Sequence, residues 1–379
     1  MRLSVEPSGR LEFGPGVLAG LPGFVAELGH DRAFVITDRG LRATGIVGRV
    51  ERTLAAAGLA HEVHEDVGPN PSTVELDRGA ARLRGFGNAV VVALGGGSAL
   101  DAAKGISVLA GNPDAVAADA DTLWSAADGL PIVAVPTTAG TGAETNGFGV
   151  VEDLHVRRKV YIGHSSVLPR IAVLDPELTL GLPAPVTAST GLDALVHGIE
   201  SLASRGANPV SAAYATQAVS MVSRWLPVAY RDGADLEARS RLMLGAHLAG
   251  RALTLSGLGL VHGIGHALTA RTGTPHGVAL AAVLEEVMTF SAPAAASAYE
   301  TAARAMGVST VDGGGADAAI AAVREISGSI GIKRPLRELG VTREMLPAIA
   351  EAAVADAVTK NSPRLPAPAE VLDLLQAVH

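Results

Sequence analysis

Short β-branched runs and longer amphipathic stretches alternate along the first half of the chain. AFVITD (33–38) is brief, apolar and closed by Asp38, which predicts a strand, and residues 41–58 carry helical periodicity. HEVHEDV (61–67) predicts a second strand, residues 73–86 a helix, AVVVAL (89–94) a buried strand, a further helix follows from Ser98, and PIVAVPTT (131–138) predicts another strand. Strands alternating with helices imply a parallel sheet with helices on both faces. From about Pro183 the pattern changes. Long alanine-rich helical stretches run to the C-terminus, with DGGGA (312–316) as a loop between two of them and GLPAP (181–185) as a hinge. The expectation is an α/β dinucleotide-binding domain over residues 1–182 and an all-α metal-binding and catalytic domain over residues 183–379, with ligands drawn to the cleft between domains.

The clearest motif of the first half is VVVALGGGSALDAAKG (90–105). A buried strand ends in Gly95, Gly96 and Gly97, and Ser98 opens a helix. Glycines allow close backbone approach, and a helix N-terminus offers unpaired N–H groups and partial positive charge, so phosphate is the natural guest. Lys104 comes too late for a Walker A loop, and Leu100 stands where a Rossmann fingerprint has its third glycine. The alternative is a tight turn capped by Ser98. VPTTAGTGAETNGFG (135–149) adds Thr137, Thr138 and Thr141, which can line a pyrophosphate or ribose. Asp38, at the end of a strand, can accept hydrogen bonds from a ribose and repel a 2′-phosphate, which tilts toward NAD over NADP; an Asx turn is its other role.

GLVHGIGHALTARTGTPHG (259–277) holds three of the eleven histidines: His262, His266 and His276. Upstream, STGLDALVHGIES (189–201) sets Asp193 and His197 four residues apart, on one helix face. His262 and His266 repeat that spacing. One aspartate with two or three histidines suits Fe²⁺ or Zn²⁺ rather than Ca²⁺. Asp193, His197, His262 and His276 supply four ligands, and spacing alone equally allows His266 in place of His276.

Composition narrows the field. With no cysteine there is no disulfide, thiolate zinc site or cysteine nucleophile, so any metal must be held by nitrogen and oxygen. Hydrophobic residues at 48% and charged residues at 18% describe a globular chain with a large core. A net charge of −8 argues against nucleic-acid binding. MRLSVEPSGRLEFGPG has no apolar signal core, and no uncharged apolar run of about 18 residues appears, so the expectation is a cytoplasmic protein without a membrane partner.

The blocks GGGSALDAAK, PTTAGTGAE, LDPELTLGLP, TGLDALVHGIES, GLGLVHGIGHAL, TPHGVA and NSPR follow in order along nearly the whole chain. In them the chain resembles the iron-containing (group III) alcohol dehydrogenases, with glycerol dehydrogenases and, more distantly, dehydroquinate synthases as kin. The resemblance implies a dehydroquinate synthase-like fold and metal ligation by Asp193, His197, His262 and His276. It implies that His266 stays off the metal and serves proton transfer. Gly95, Gly96, Gly97 and Ser98 would bind pyrophosphate, and Thr137, Thr138 and Thr141 would touch phosphate, ribose or nicotinamide. Lys159 matches a cofactor-side lysine, Thr179 and Leu180 match positions near the adenosine portion, and Asp38 matches the position tied to NAD preference.

The implied activity is hydride transfer between a small alcohol or aldehyde and NAD(H), with Fe²⁺ ahead of Zn²⁺ and a homodimer or higher homo-oligomer as the assembly. The full ligand set separates the chain from maleylacetate reductases. Two departures stand out. ETNGFGVVED (144–153) makes Asn146 and Phe148 candidates for shaping the substrate pocket, and DAVTKNSPR (356–364) offers Lys360 where some relatives carry cysteine or histidine. A dehydroquinate synthase-like lyase and a non-catalytic nucleotide- or metal-binding sensor are the alternatives. The first calls for a strongly basic pocket, and the intact ligand set argues against the second.

Overall fold

The computed structural model describes residues 5, 9–154, 158–310 and 314–379. It comprises two compact units. The first runs to Thr138 and resumes over Ala143–Gly181; the second takes Ala139–Gly142 and Leu182–His379.

The strands all belong to the first unit: β1 (Arg10–Phe13), β2 (Arg32–Ile36), β3 (Ala60–His64), β4 (Val90–Gly95), β5 (Ile132–Pro136), β6 (Phe148–Asp153), β7 (Arg158–Gly163) and β8 (Ile171–Leu174). Six form a parallel sheet in the order β1-β8-β5-β4-β2-β3, while β6 and β7 make an antiparallel pair. Helices α1 (Leu21–Glu27), α2 (Arg39–Ala43), α3 (Ile46–Ala56), α4 (Thr73–Phe86) and α5 (Gly97–Gly111) connect them. Strand β4 is buried along its whole length because both faces are covered. Val90, Val92 and Leu94 pack with Val47, Val50 and Leu54 of α3. Val91 and Ala93, on the other face, pack with Leu76 and Ala80 of α4 and Leu100 and Ala103 of α5.

Several boundaries depart from the sequence pattern for local reasons. The helix expected over 41–58 is split by Gly45, whose φ of 84° is left-handed, into α2 and α3. Strand β2 stops at Ile36 because the Asp38 carboxylate accepts from Leu41 N at 2.8 Å and caps α2. The strand expected over 61–67 ends at His64. Helix α5 takes Gly96, not Ser98, as its N-cap, so Ser98 lies inside the first turn. Strands β1, β6, β7 and β8 are additions. Helix α4 begins where expected, on a capping box in which Ser72 Oγ accepts from Glu75 N and a Glu75 carboxylate oxygen accepts from Ser72 N.

The second unit is helical: α6 (Ala184–Ala203), α7 (Pro209–Arg231), α8 (Leu236–Ser256), α9 (Leu260–Thr272), α10 (His276–Ala305), α11 (Gly315–Ser329), α12 (Leu346–Ala355) and α13 (Pro368–Ala377). Residues 312 and 313 of the expected loop lie outside the described residues, and its last two positions, 315 and 316, open α11. Helix α6 packs closely on α7, since a Cβ on Gly191 or Gly198 would come within 2.4 or 2.7 Å of Leu226 or Val219. Gly257 (φ 74°) ends α8, and α9 departs at 105° to it. Gly273 (φ 68°) ends α9, and α10 starts three residues later. By length and composition α10 could cross a membrane, but 61% of its most apolar window is buried within the structure.

Candidate metal centre

Three helices of the second unit bring the candidate ligands together. Asp193 and His197 lie one turn apart on α6, His262 is in the first turn of α9, and His276 is the first residue of α10. The Asp193 Oδ1 atom lies 3.2 Å from His197 Nε2, 3.4 Å from His262 Nε2 and 3.8 Å from His276 Nε2. Ligand atoms of Asp193, His262 and His276 all fall within 4.8 Å of one another. His197 adjoins this group through Asp193, its ring stacked on His262 at 4.7 Å between centroids.

These residues fit a divalent cation. Asp193 Oδ1 and His262 Nε2 are fully buried, and neither completes a hydrogen bond with the protein. A buried carboxylate oxygen and a buried ring nitrogen left unpaired this way are costly. A cation between them would satisfy both. The side chains of Asp193, His197 and His262 are at most 6% exposed, whereas that of His276 is 32% exposed, so the His276 side is the open face of the group.

The charge states are uneven. Burial pushes His197 down to about 4, and partial burial takes His276 well below its ordinary value. Burial also opposes charge on His262, but the carboxylates of Asp193 and Glu200 beside it outweigh it and hold the ring up to about 9. Burial would raise Asp193; His197, His262 and His276 around it win and keep it ionised, far below the usual carboxylate range.

His266, one turn beyond His262, is outside the tight group. Its Nδ1 lies 2.9 Å from Asp356 Oδ2, and its ring stacks on His276 at 5.4 Å. Two carboxylates that the sequence pattern did not single out therefore matter. Glu200, whose Oε2 is 2.6 Å from His262 Nδ1, was legible in principle, because it lies seven residues after Asp193 on the same face of α6. Asp356 was not, because it meets His266 across ninety positions of sequence.

In the first unit, the C-terminal edge of the parallel sheet gathers most of the cofactor-side candidates, where open α/β sheets bind ligands. Asp38 follows β2, Gly95, Gly96, Gly97 and Ser98 follow β4, Thr137 and Thr138 follow β5, and Thr179 and Leu180 follow β8. Thr137 N donates to Gly95 O at 2.9 Å. A Cβ on Gly95, whose φ is 147°, would sit 2.7 Å from Ala99 Cβ, so this position is one only glycine leaves open, while one on Gly96 would meet Thr138 Cγ2 at an ordinary 3.4 Å. The other Asp38 oxygen, Oδ2, lies 3.6 Å from that Gly95 position. Lys159 reaches the same neighbourhood through Asn70: its Nζ donates to Asn70 Oδ1 at 2.8 Å, and Asn70 N donates to Ser98 Oγ at 3.4 Å. Burial lowers the Lys159 pKa against the pull of Glu152. Asn70 has φ 54°, the one left-handed non-glycine among the described residues. Thr179 is buried with its hydroxyl on Pro176 O at 2.8 Å, and Leu180 is half-buried. Thr141 belongs to the Ala139–Gly142 segment of the second unit.

Asn146 and Phe148 both engage a buried lysine. Asn146 Oδ1 and Phe148 O accept from Lys104 Nζ at 2.7 and 2.6 Å, holding a lysine only 1% exposed whose pKa burial lowers. Lys360 is exposed.

Known protein families match the chain over most of its length. The model described as iron-containing alcohol dehydrogenase matches residues 8–176, and that for the C-terminal part of the Fe-containing alcohol dehydrogenase family matches residues 187–379. Lactaldehyde reductase of Escherichia coli (strain K12) is 35% identical over 375 residues, covering 97% of this chain and 96% of the relative. The 1,3-propanediol dehydrogenase of Klebsiella pneumoniae is 36% identical over 361 residues, covering 93% and 92%. Among solved structures, 1,3-propanediol oxidoreductase superposes with a TM-score of 0.92 at 33% identity, with 98% of each chain covered. Sulfoacetaldehyde reductase from Bifidobacterium kashiwanohense, solved with NAD⁺, gives 0.91 at 28% identity, with 100% of this chain and 99% of that one covered.

Proposed function

From the premise that the chain belongs to the iron-containing alcohol dehydrogenase family, we propose a specific division of labour for its oxidoreductase activity on small alcohols and aldehydes. Asp193, His197, His262 and His276 hold the metal, Fe²⁺ in preference to Zn²⁺. The glycine turn, Ser98, Thr137, Thr138, Thr141, Lys159, Thr179 and Leu180 bind NAD(H), with Asp38 excluding a 2′-phosphate. The observation that carries the reading is the pair of buried atoms without hydrogen bonds, Asp193 Oδ1 and His262 Nε2, 3.4 Å apart beside His276. The named relatives are reductases and dehydrogenases, which disfavours the lyase and sensor alternatives.

When bound, the metal supplies Lewis acidity toward the substrate oxygen and nicotinamide supplies hydride chemistry. The chain's own residues do the rest. Gly95, Gly96 and Gly97 admit the diphosphate to the N-terminus of α5, whose free N–H groups and dipole favour the anion. Asp38 spends one oxygen capping α2 and keeps the other for ribose hydroxyls. The exposed side of His276 would leave a bound metal open to a small substrate. His266, with Nδ1 engaged by Asp356, keeps Nε2 to carry the alcohol proton to solvent or return it. We also propose a cytoplasmic homodimer or higher homo-oligomer, as the family resemblance implies.

The test is NADH oxidation with a panel of small aldehydes and ketones, on metal-stripped protein reloaded with Fe²⁺ or Zn²⁺. The expected outcome is turnover only after reloading, faster with Fe²⁺, and weak with NADPH. Turnover by fully metal-free protein would refute the metal reading.

A further inference from the structure

Glu200 stands on α6, three residues after His197, with 7% of its surface exposed. Its two oxygens do two jobs. Oε2 lies 2.6 Å from His262 Nδ1, and Oε1 accepts from Val261 N at 2.7 Å. Val261 N is one of the first-turn N–H groups for which a helix has no internal partner. The N-cap residue of α9 is Gly259, which has no side chain to supply one. The glycine is itself informative, since a Cβ there would lie 3.0 Å from Glu200 Oε1 and 3.4 Å from Ser362 Oγ. A side chain at 259 would push the carboxylate out.

We propose that Glu200 is a positioning residue that fixes the tautomer and orientation of His262, and that Gly259 is present to admit its carboxylate. The proposal rests on the reading of His262 as a metal ligand. An ionised carboxylate only accepts, so Nδ1 must be the donor. The lone pair of the neutral ring is then on Nε2, the atom that faces Asp193 Oδ1 without a hydrogen bond of its own. Partners of this kind set ring orientation and raise ligand basicity at metal sites. Glu200→Gln inverts the logic at nearly constant shape. The amide carbonyl can keep Val261 N, but its NH₂ then faces Nδ1, makes Nδ1 the acceptor and leaves a proton on Nε2, where the metal belongs.

The experiment compares wild type, E200Q, G259A and the double variant. Zn²⁺ affinity is read by competition with a chelator, NADH binding by fluorescence, and the His262 tautomer by ¹⁵N NMR of metal-free protein in alkaline solution. The expected result is Zn²⁺ binding weaker by roughly 10- to 100-fold in E200Q, with NADH binding unchanged and His262 moving from Nδ1–H to Nε2–H. G259A weakens Zn²⁺ in the same direction and adds little on top of E200Q, as residues acting through one contact do. Wild-type Zn²⁺ affinity in folded E200Q, or Nε2–H in the wild-type ring, overturns the proposal. Should E200Q not fold, G259A and the wild-type tautomer still decide it. A wild-type protein that takes up no divalent metal defeats the ligand reading instead, and the tautomer then judges Glu200 by itself.

Discussion

At the residue scale the metal group is a set of opposed protonation demands. His197 is driven down to about 4 by burial, so it is neutral and ready as a donor across the physiological range. His262 is different, because Asp193 and Glu200 hold its pKa up to about 9 in the metal-free protein despite burial. A metal must displace that proton. The sign follows: below about pH 9 uptake competes with protonation of His262 and apparent affinity rises with pH, while above it the dependence flattens. Zn²⁺ competition titrations at pH 6, 7 and 8 are expected to show affinity climbing by up to about tenfold per pH unit, the slope of one proton released. A flat profile would contradict a protonated His262 in the resting site. Spacing left His266 and His276 as equals. What separates them is the turn at Gly273, which starts α10 at His276, and the Asp356 carboxylate, which engages His266. The first was half-visible as TGTPHG; the second depends on a tertiary contact that no local pattern encodes.

At the element scale one turn positions a metal-site histidine and one strand carries a buried histidine that bears on stability. The first is the turn between α9 and α10. Gly273 is left-handed, and nothing lies within 4 Å of where a Cβ would stand, so a side chain there meets backbone strain and no clash. Gly273→Ala is expected to cost roughly 1–2 kcal/mol of stability, and Gly273→Asn less, since asparagine tolerates that region. Chemical denaturation of both variants checks it; an alanine variant as stable as wild type would show that the turn can relax. The second segment is β3, where His64 is 3% exposed, stacks on Phe34 at 6.3 Å and leaves Nε2 without a hydrogen bond. Burial, with Arg82 nearby, lowers its pKa below the ordinary value of 6.5. The neutral ring therefore contributes stability that is fully present above pH 6.5 and is lost as pH falls through the folded pKa. His64→Phe removes this term, so its acid-unfolding midpoint is expected at lower pH than wild type. An unchanged or higher midpoint would show that another group governs the acid limb. The same elements show what a chain pattern reveals. Helix α4 was legible because Ser72 and Glu75 form a capping box ahead of a periodic run, and β4 because six consecutive buried residues need a covered central strand. The 41–58 helix was misread because Gly45 looks tolerable within a periodic stretch until its left-handed φ is known. The four-residue β1 and β8 are too short to register, and β6 alternates half-buried and buried positions over only six residues.

At the scale of the whole molecule, the two chemistries are carried by different stretches of chain. Every proposed metal ligand comes from α6, α9 or α10, and with the exception of Thr141 every proposed cofactor residue comes from the first unit. The carboxylate and imidazoles are carried by α6, α9 and α10, whereas the glycine turn is shaped by β4, β5 and α5. Loss of the metal should therefore leave dinucleotide binding in place. His262→Ala removes the imidazole that pairs with Asp193 and Glu200, leaving two buried carboxylates without their shared partner. Part of its cost will appear as lower stability, and Zn²⁺ affinity should fall beyond the chelator's range. NADH, held by Gly95–Gly97 at the N-terminus of α5, should bind within about twofold of wild type, less than the ~1.4 kcal/mol that a tenfold change represents. Metal content after dialysis, NADH fluorescence titration and circular dichroism on the same preparation separate the three effects. If NADH binding disappears together with the metal while the fold is retained, the two sites are coupled and the division of labour proposed here is wrong. If metal content is unchanged, His262 is not a ligand and the group must be rebuilt around Asp193, His197 and His276.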